Sequence, residues 1–168
     1  ALGMDKPAFK ALARERGVAT LPELVITQSE WSSDREALLR AIAAFANEHT
    51  LTGALIGKPA AHGSSIGMKI AHTSSDWADA VDEALRFGDR AMLEPYLERA
   101  RELEVAVLER TNGSVQAFGP GEVFPGREFY DYDAKYAPGI SRTTTSSDLP
   151  PALAEEMRAA AVALFTAA

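Results

Sequence analysis

The sequence predicts an α+β fold, and three observations carry that expectation. Helical and extended periodicities alternate at first, in the order αβαββα. Further short strands then follow one another around an Asn112-Gly113 turn, which implies antiparallel pairing. No internal repeat or low-complexity linker interrupts the chain. Its 168 residues are enough to bury a core in one domain or two small ones.

The first helix starts near Asp5, with Pro7 in its first turn, Phe9, Leu12 and Ala13 on one face and Gly17 as the residue that ends it. Leu21 to Thr27 reads as a strand around the apolar run Leu24-Val25-Ile26. Ser33-Asp34-Arg35-Glu36 has the pattern of a capping box, and Leu38, Leu39, Ile42, Phe45 and Ala46 form the buried stripe of the helix behind it. Residues 54–58 and 66–71 read as two strands joined by a loop over 59–65, a hairpin-like flap. Ser75-Asp76 can cap a helix carrying Trp77, Val81, Ala84 and Leu85 inward, ended by Gly88. Strands follow over 91–97, 103–109 and 114–118, and Gly119-Pro120-Gly121 is expected to break the last of them. The stretch 125–148 is irregular, polar and aromatic, a length of loop that is usually functional or disordered. A final helix runs from Asp148 to Phe165.

Composition excludes several functions. A net charge of −7 speaks against binding a nucleic-acid backbone, so any nucleotide site must be a local cluster of cations. The absence of cysteine removes disulfides and thiol catalysis. No apolar run approaches the ~18 residues needed to cross a bilayer, so no membrane partner is expected and the cytoplasm is the expected location. The chain opens on Ala1-Leu2-Gly3-Met4 and closes in helical composition at Ala168, so it is expected to be part of a larger protein.

Three segments carry chemistry. In Lys58-Pro59-Ala60-Ala61-His62-Gly63-Ser64-Ser65-Ile66-Gly67 a lysine closes a strand ahead of a Gly/Ser loop. Small residues let backbone N–H groups approach phosphate oxygens while the lysine adds charge, though an exposed lysine on a tight hairpin has the same pattern. Gly63-Ser64-Ser65-Ile66-Gly67 also matches the Gly-x-Ser-x-Gly elbow of serine hydrolases, with Ser65 as nucleophile. That motif requires a following helix, whereas Met68 to Ala71 alternates as a strand. Second, Leu93-Glu94-Pro95-Tyr96-Leu97 can present the Pro95 carbonyl and the Leu97 N–H to adenine, with the Glu94 carboxylate as a further acceptor. Pro95 is expected at a sheet edge, and Glu102 can accept from ribose hydroxyls. Third, Phe129-Tyr130-Asp131-Tyr132-Asp133-Ala134-Lys135-Tyr136 offers a lysine and tyrosine hydroxyls suited to closing over a transferring phosphoryl group. Asp131 and Asp133 do not make a complete metal site.

Together and in order, Met4-Asp5-Lys6, Lys58-Pro59, Gly63-Ser64-Ser65-Ile66-Gly67, Leu93-Glu94, Arg101-Glu102, Gly121-Glu122-Val123, the tyrosine-rich segment and Leu149-Pro150-Pro151 resemble the D-alanine–D-alanine ligases. The resemblance implies an ATP-grasp fold, with a central ATP-binding part over 1–90 and part of the next subdomain over 91–168, including a mobile loop over 125–148. By match to the family's motifs, Lys6 and Lys58 would contact the nucleotide phosphates and Gly63, Ser64 and Ser65 would close over the γ-phosphate. Glu94, Pro95, Tyr96 and Leu97 would surround adenine, and Glu102 would meet the ribose. The catalytic set would be Ser64, Lys135 and Tyr136, with Lys135 on the transferred phosphate and Tyr136 bonded to Ser64. The implied cofactors are ATP and Mg2+, with the metal ligands expected beyond Ala168. The substrate is D-alanine, phosphorylated on its carboxylate and then attacked by the amine of a second D-alanine. A homodimer is implied for the whole enzyme, and inactivity for this chain alone. A non-catalytic nucleotide-binding module is the alternative of a different class. Departures from the family pattern are Gly57 ahead of Lys58, expected to weaken its strand, Ala100 in place of a glycine, and Asp133 in place of a glutamate. His62 is expected to be exposed.

Overall fold

Two sheets organise the chain in the computed structural model, which describes residues 2–128 and 130–168. Ala1 and Phe129, the latter from the tyrosine-rich segment, lie outside the described residues. The described residues divide into two units. One comprises Ala1–Ala11 and Thr20–Glu98, the other Leu12–Ala19 and Arg99–Ala168. The strand expected over 91–97 forms as Arg90–Pro95, within the first sheet.

Helix α1 spans Lys6–Glu15, and Asp5 begins it by accepting from the Ala8 N–H at 3.1 Å. Gly17 ends it as expected, at φ +73°, with the Gly17 N–H on the Arg14 carbonyl and the Val18 N–H on the Ala13 carbonyl. The first sheet has the order β1-β4-β2-β3, from β1 (Leu24–Thr27), β2 (Leu55–Pro59), β3 (Lys69–Ala71) and β4 (Arg90–Pro95), all antiparallel. A helix α2 (Gln28–Ser33) follows β1 directly, where the sequence showed none. Its capping box is Thr27 with Glu30, so the expected box at Ser33–Glu36 is displaced. Helix α3 (Arg35–His49) is capped by Asp34 alone, on the Ala37 N–H. Likewise the cap ahead of α4 (Trp77–Leu85) is a Thr73–Asp76 box around a short 3-10 turn, rather than Ser75-Asp76.

Pairing fixes the faces of this sheet, because side chains alternate along each strand. Ile26, Leu55, Ala71, Ala91 and Leu93 share one face with Gly57 and join Ile42, Val81 and the small residues of α4 in the core. Gly57 explains its own departure from the family pattern. A Cβ there would lie 2.7 Å from the Ala80 carbonyl oxygen, so β2 approaches the α4 backbone more closely than any larger residue allows. The strand is short of a side chain because the helix occupies that space.

The second unit holds β5 (Glu102–Glu109), β6 (Val115–Phe124) and β7 (Arg142–Thr144) in the order β5-β6-β7, with α6 (Pro151–Ala167) packed on β5 and β6. The Asn112-Gly113 hairpin forms, with Gly113 at φ +80°. Gly119-Pro120-Gly121 does not end the strand as expected; β6 runs through it. The register slips there, between the Glu104–Gly121 and Ala106–Phe118 pairs, and a bulge tolerates a proline that cannot donate to the ladder. The carbonyls it frees are satisfied, Gly119 by Arg158 of α6 at 2.8 Å and Pro120 by the Ser147 hydroxyl at 3.0 Å. The stretch 125–148 also contains more order than its composition shows. It includes β7 and a short helix α5 (Tyr132–Tyr136), capped by Asp131 on the Ala134 N–H at 2.7 Å. The Ser141 hydroxyl joins the Pro125 and Ala134 carbonyls across it.

Candidate functional site

The opposite face of the first sheet carries Val25, Ile56, Met92, Lys58 and Glu94. Lys58 pairs with Met92 and Glu94 with Ile56, so Lys58 and Glu94 are diagonal neighbours, within reach for long side chains. They form an ion pair, and Lys10 of α1 forms a second one with the other oxygen of Glu94. Lys10 also lies 3.2 Å from Glu23. Glu94 is buried, at 5% exposure, so its charge depends on these partners. Sequence reasoning missed Lys10 and Glu23. The available signal was spacing, since Lys6 and Lys10 stand four apart on one face of α1, where two like charges call for carboxylates opposite.

Lys6 reaches the same end of β2 by another route. Its amine donates to the carbonyls of Pro59 at 2.8 Å and His62 at 2.5 Å, and its backbone N–H donates to the Ala60 carbonyl. Arg90 and Asp5, 2.6 Å apart, hold the start of α1 beside β4, and the arginine's hydrogen bond keeps the Asp5 carboxyl below its ordinary pKa. The loop over 60–68 therefore rises from an anchored base. Within it Ser64 (φ 54°) and Ser65 (φ 57°) are both left-handed, a conformation costly for any residue with a side chain and one that clusters at ligand-gripping segments. A Cβ on Gly63 would meet only the Met4 methyl, at 3.9 Å, so the approach to that backbone is open. His62 is half-buried against the Phe87 ring, centroids 6.1 Å apart, and not exposed as expected.

Pro95 is the last residue of β4, an interior strand and not an edge, but it extends past the final β1 pair of Leu24 with Leu93. β2 still pairs with it through Leu55, so the side of Pro95 left without a partner strand is the one facing away from β2. The Tyr96 N–H donates to the Ala54 carbonyl, and Leu97 is exposed. Gly63-Ser64-Ser65-Ile66-Gly67 leads into strand β3 and not a helix, so the hydrolase elbow is not formed.

Glu102, Lys135 and Tyr136 belong to the second unit. Burial raises the Glu102 pKa, Lys135 opposes that rise and Glu104 adds to it, so Glu102 and Lys135 are within electrostatic reach of each other. The Lys135 amine lies 5.2 Å from the centre of the Tyr130 ring, and the Tyr136 ring packs at a 51° tilt against Tyr132 with centroids 4.7 Å apart. Among the described residues no group of three or more His, Cys, Asp or Glu is placed to hold a metal ion.

Residues 12–168 match the family model described as the D-ala D-ala ligase C-terminus. The chain belongs to the D-alanine–D-alanine ligase family. It is 39% identical over 142 residues to the D-alanine–D-alanine ligase of Heliobacterium modesticaldum, covering 84% of this chain and 37% of that protein. With the ligase of Acetivibrio thermocellus identity is 34% over 167 residues, 99% of this chain and 42% of the relative. The chain thus spans well under half the length of the curated relatives it matches. Among solved structures it resembles D-alanyl-alanine synthetase A of Vibrio cholerae, with a TM-score of 0.77 and 26% identity over 97% of this chain and 47% of the other. The VanG D-Ala:D-Ser ligase of Enterococcus faecalis gives a TM-score of 0.78 at 23% identity, over 99% of this chain and 45% of that one, a likeness of fold. The ATP-grasp fold of this ligase family is the architecture described above.

Proposed function

We propose that the chain is the nucleotide-binding portion of an ATP-dependent ligase that joins two D-alanines through an acyl phosphate. The observation that carries this reading is the ion pair of half-buried Lys58 with buried Glu94 on a sheet face beside a loop of left-handed serines. An ammonium held in place by a carboxylate is ready to exchange that partner for a phosphate oxygen. The backbone at Gly63, where an added Cβ would meet only the Met4 methyl at 3.9 Å, leaves room for a phosphate oxygen to come close. The Pro95 carbonyl and Leu97 N–H suit the edge of adenine. Glu94 serves this reading better as the partner of Lys58 than as an acceptor for the adenine amine, because both its oxygens already face ammonium groups.

In the reaction class of the family, a carboxylate oxygen of the first D-alanine bonds to the γ-phosphorus of ATP and the bond to ADP breaks. The amine of the second D-alanine then attacks the acyl carbon, loses a proton and expels phosphate. Ser64, Lys135 and Tyr136 are the residues we assign to these steps, with Lys135 neutralising charge on the transferring group and Glu102 accepting from the ribose. Among the described residues no three His, Cys, Asp or Glu side chains gather to hold a metal ion. D-Alanine as substrate, a homodimeric assembly and a cytoplasmic location are proposed for the whole enzyme.

Calorimetric titration of the chain with the ATP analogue AMP-PNP tests the reading, with binding expected and its absence overturning it. In a coupled assay for D-alanine-dependent ADP release, the chain alone is expected to show no turnover. Robust turnover would refute the division between nucleotide binding here and metal binding elsewhere.

A further inference from the structure

Four charged side chains alternate in sign beneath the loop: Glu23, Lys10, Glu94 and Lys58. Their side chains are 12%, 12%, 7% and 19% exposed, so solvent screens them little. The chain of charges is neutral as a set. Its end member, Lys58, is the one expected to leave for a phosphate.

That departure poses an electrostatic problem. Glu94 is fixed in β4 by pairing with Ile56 and cannot follow Lys58 into solvent. If Lys58 turned to an anion and Glu94 had no other partner, a buried carboxylate would be stranded, and its field would repel the arriving phosphates. Lys10 removes the problem because it holds the opposite oxygen of Glu94, while Glu23 holds Lys10 from the far side. Lys10 sits on a helix whose start is tied down by Asp5 and Arg90, so its amine is delivered by a braced element.

We infer that Lys10 is a positioning residue of the nucleotide site, compensating Glu94 so that Lys58 can transfer from carboxylate to phosphate. The inference rests on the nucleotide reading of Lys58. Lys10 does not touch the nucleotide; it sets how cheaply Lys58 exchanges partners. Without it, Glu94 holds Lys58 more tightly and adds an uncompensated negative charge near the phosphates.

The test is calorimetry of the chain with AMP-PNP and, as a neutral control, adenosine. Lys10→Met is expected to weaken AMP-PNP binding about tenfold or more and to leave adenosine binding unchanged. Lys10→Arg should restore AMP-PNP affinity to within about threefold, since it keeps the charge. The double variant Lys10→Met/Glu94→Gln should bind no worse than Glu94→Gln alone, because without the carboxylate there is nothing for Lys10 to compensate. Wild-type affinity in Lys10→Met, equal losses for AMP-PNP and adenosine, or additive losses in the double variant would each overturn the inference. Failure of the wild-type chain to bind AMP-PNP overturns the nucleotide reading and the role of Lys10 in it.

Discussion

Lys58 shows how a single residue acquires its properties from register. Its own strand offers only a lysine at a strand end; the diagonal pairing with Glu94 makes it a held cation. Lys58→Met should therefore lower AMP-PNP affinity by about ten- to a hundredfold, the range of one charge-assisted contact, as read by calorimetry. It should also leave Glu94 with Lys10 alone. Glu102 works in the opposite sense. Burial raises its pKa, so its ionised form is disfavoured by folding; its contribution to stability is present below the unfolded carboxylate range and is lost as pH rises through the folded value. At neutral pH, Glu102→Gln is thus expected to raise the urea midpoint while weakening nucleotide binding. A midpoint that falls would contradict the burial cause.

At the scale of elements, two close contacts hold the first unit in shape. The β2–α4 approach depends on Gly57, and Gly57→Val would drive branched carbons into the Ala80 backbone. A loss of about 3 kcal/mol or more in urea unfolding is expected, since the obstacle is main chain and cannot rotate away. A valine tolerated there would mean that the strand and helix separate more readily than their packing indicates. The second contact is Asp82 of α4, which accepts from the Trp31 indole N–H at 2.6 Å and from both terminal nitrogens of Arg35, at 3.2 and 2.7 Å. Burial opposes its ionisation, but those donors outweigh it and the Asp82 pKa is lowered. Asp82→Ala would strand a donor on Trp31, which is only 4% exposed, at a cost of about 1–3 kcal/mol. Because this contact lies on the helix side of the sheet, AMP-PNP affinity should not change.

For the molecule as a whole, acid sensitivity follows from the carboxylates. Hydrogen bonds from Arg90 to Asp5, from Arg101 to Glu122 and from the Ala134 N–H to Asp131 hold these groups below their ordinary pKa values, as the Trp31 and Arg35 donors do for Asp82. A depressed folded pKa contributes stability above the unfolded value, and that stability is lost as pH falls through the folded one. The urea midpoint should therefore hold from neutrality down to roughly pH 5 and fall below about pH 4. Glu30 and Asp76, held below their ordinary values by hydrogen bonds from Thr27 and Thr73, act in the same sense, so Glu102 is one group against six. A midpoint that rose on acidification below pH 4 would reverse the assigned signs.

The longer helices α1, α3, α4 and α6, the Asn112-Gly113 hairpin, Gly17 as a helix stop and the family motifs were legible in the sequence, because each depends on neighbours a few residues away. Helix α2 was not, since six residues carry too little periodicity to stand out and its Thr27–Glu30 box overlaps the end of β1. Nor was the passage of β6 through Gly119-Pro120, which depends on Arg158 and Ser147 arriving from far along the chain to satisfy its carbonyls. The sequence by itself determined that the chain belongs to the ligase family and that Lys6, Lys58, Glu94 and Glu102 match that family's motifs. Only the tertiary structure decided which charges meet. Glu94 stands between Lys10 and Lys58 because an antiparallel register and a helix placement bring together residues 84 and 36 positions apart, a convergence that local propensity does not encode.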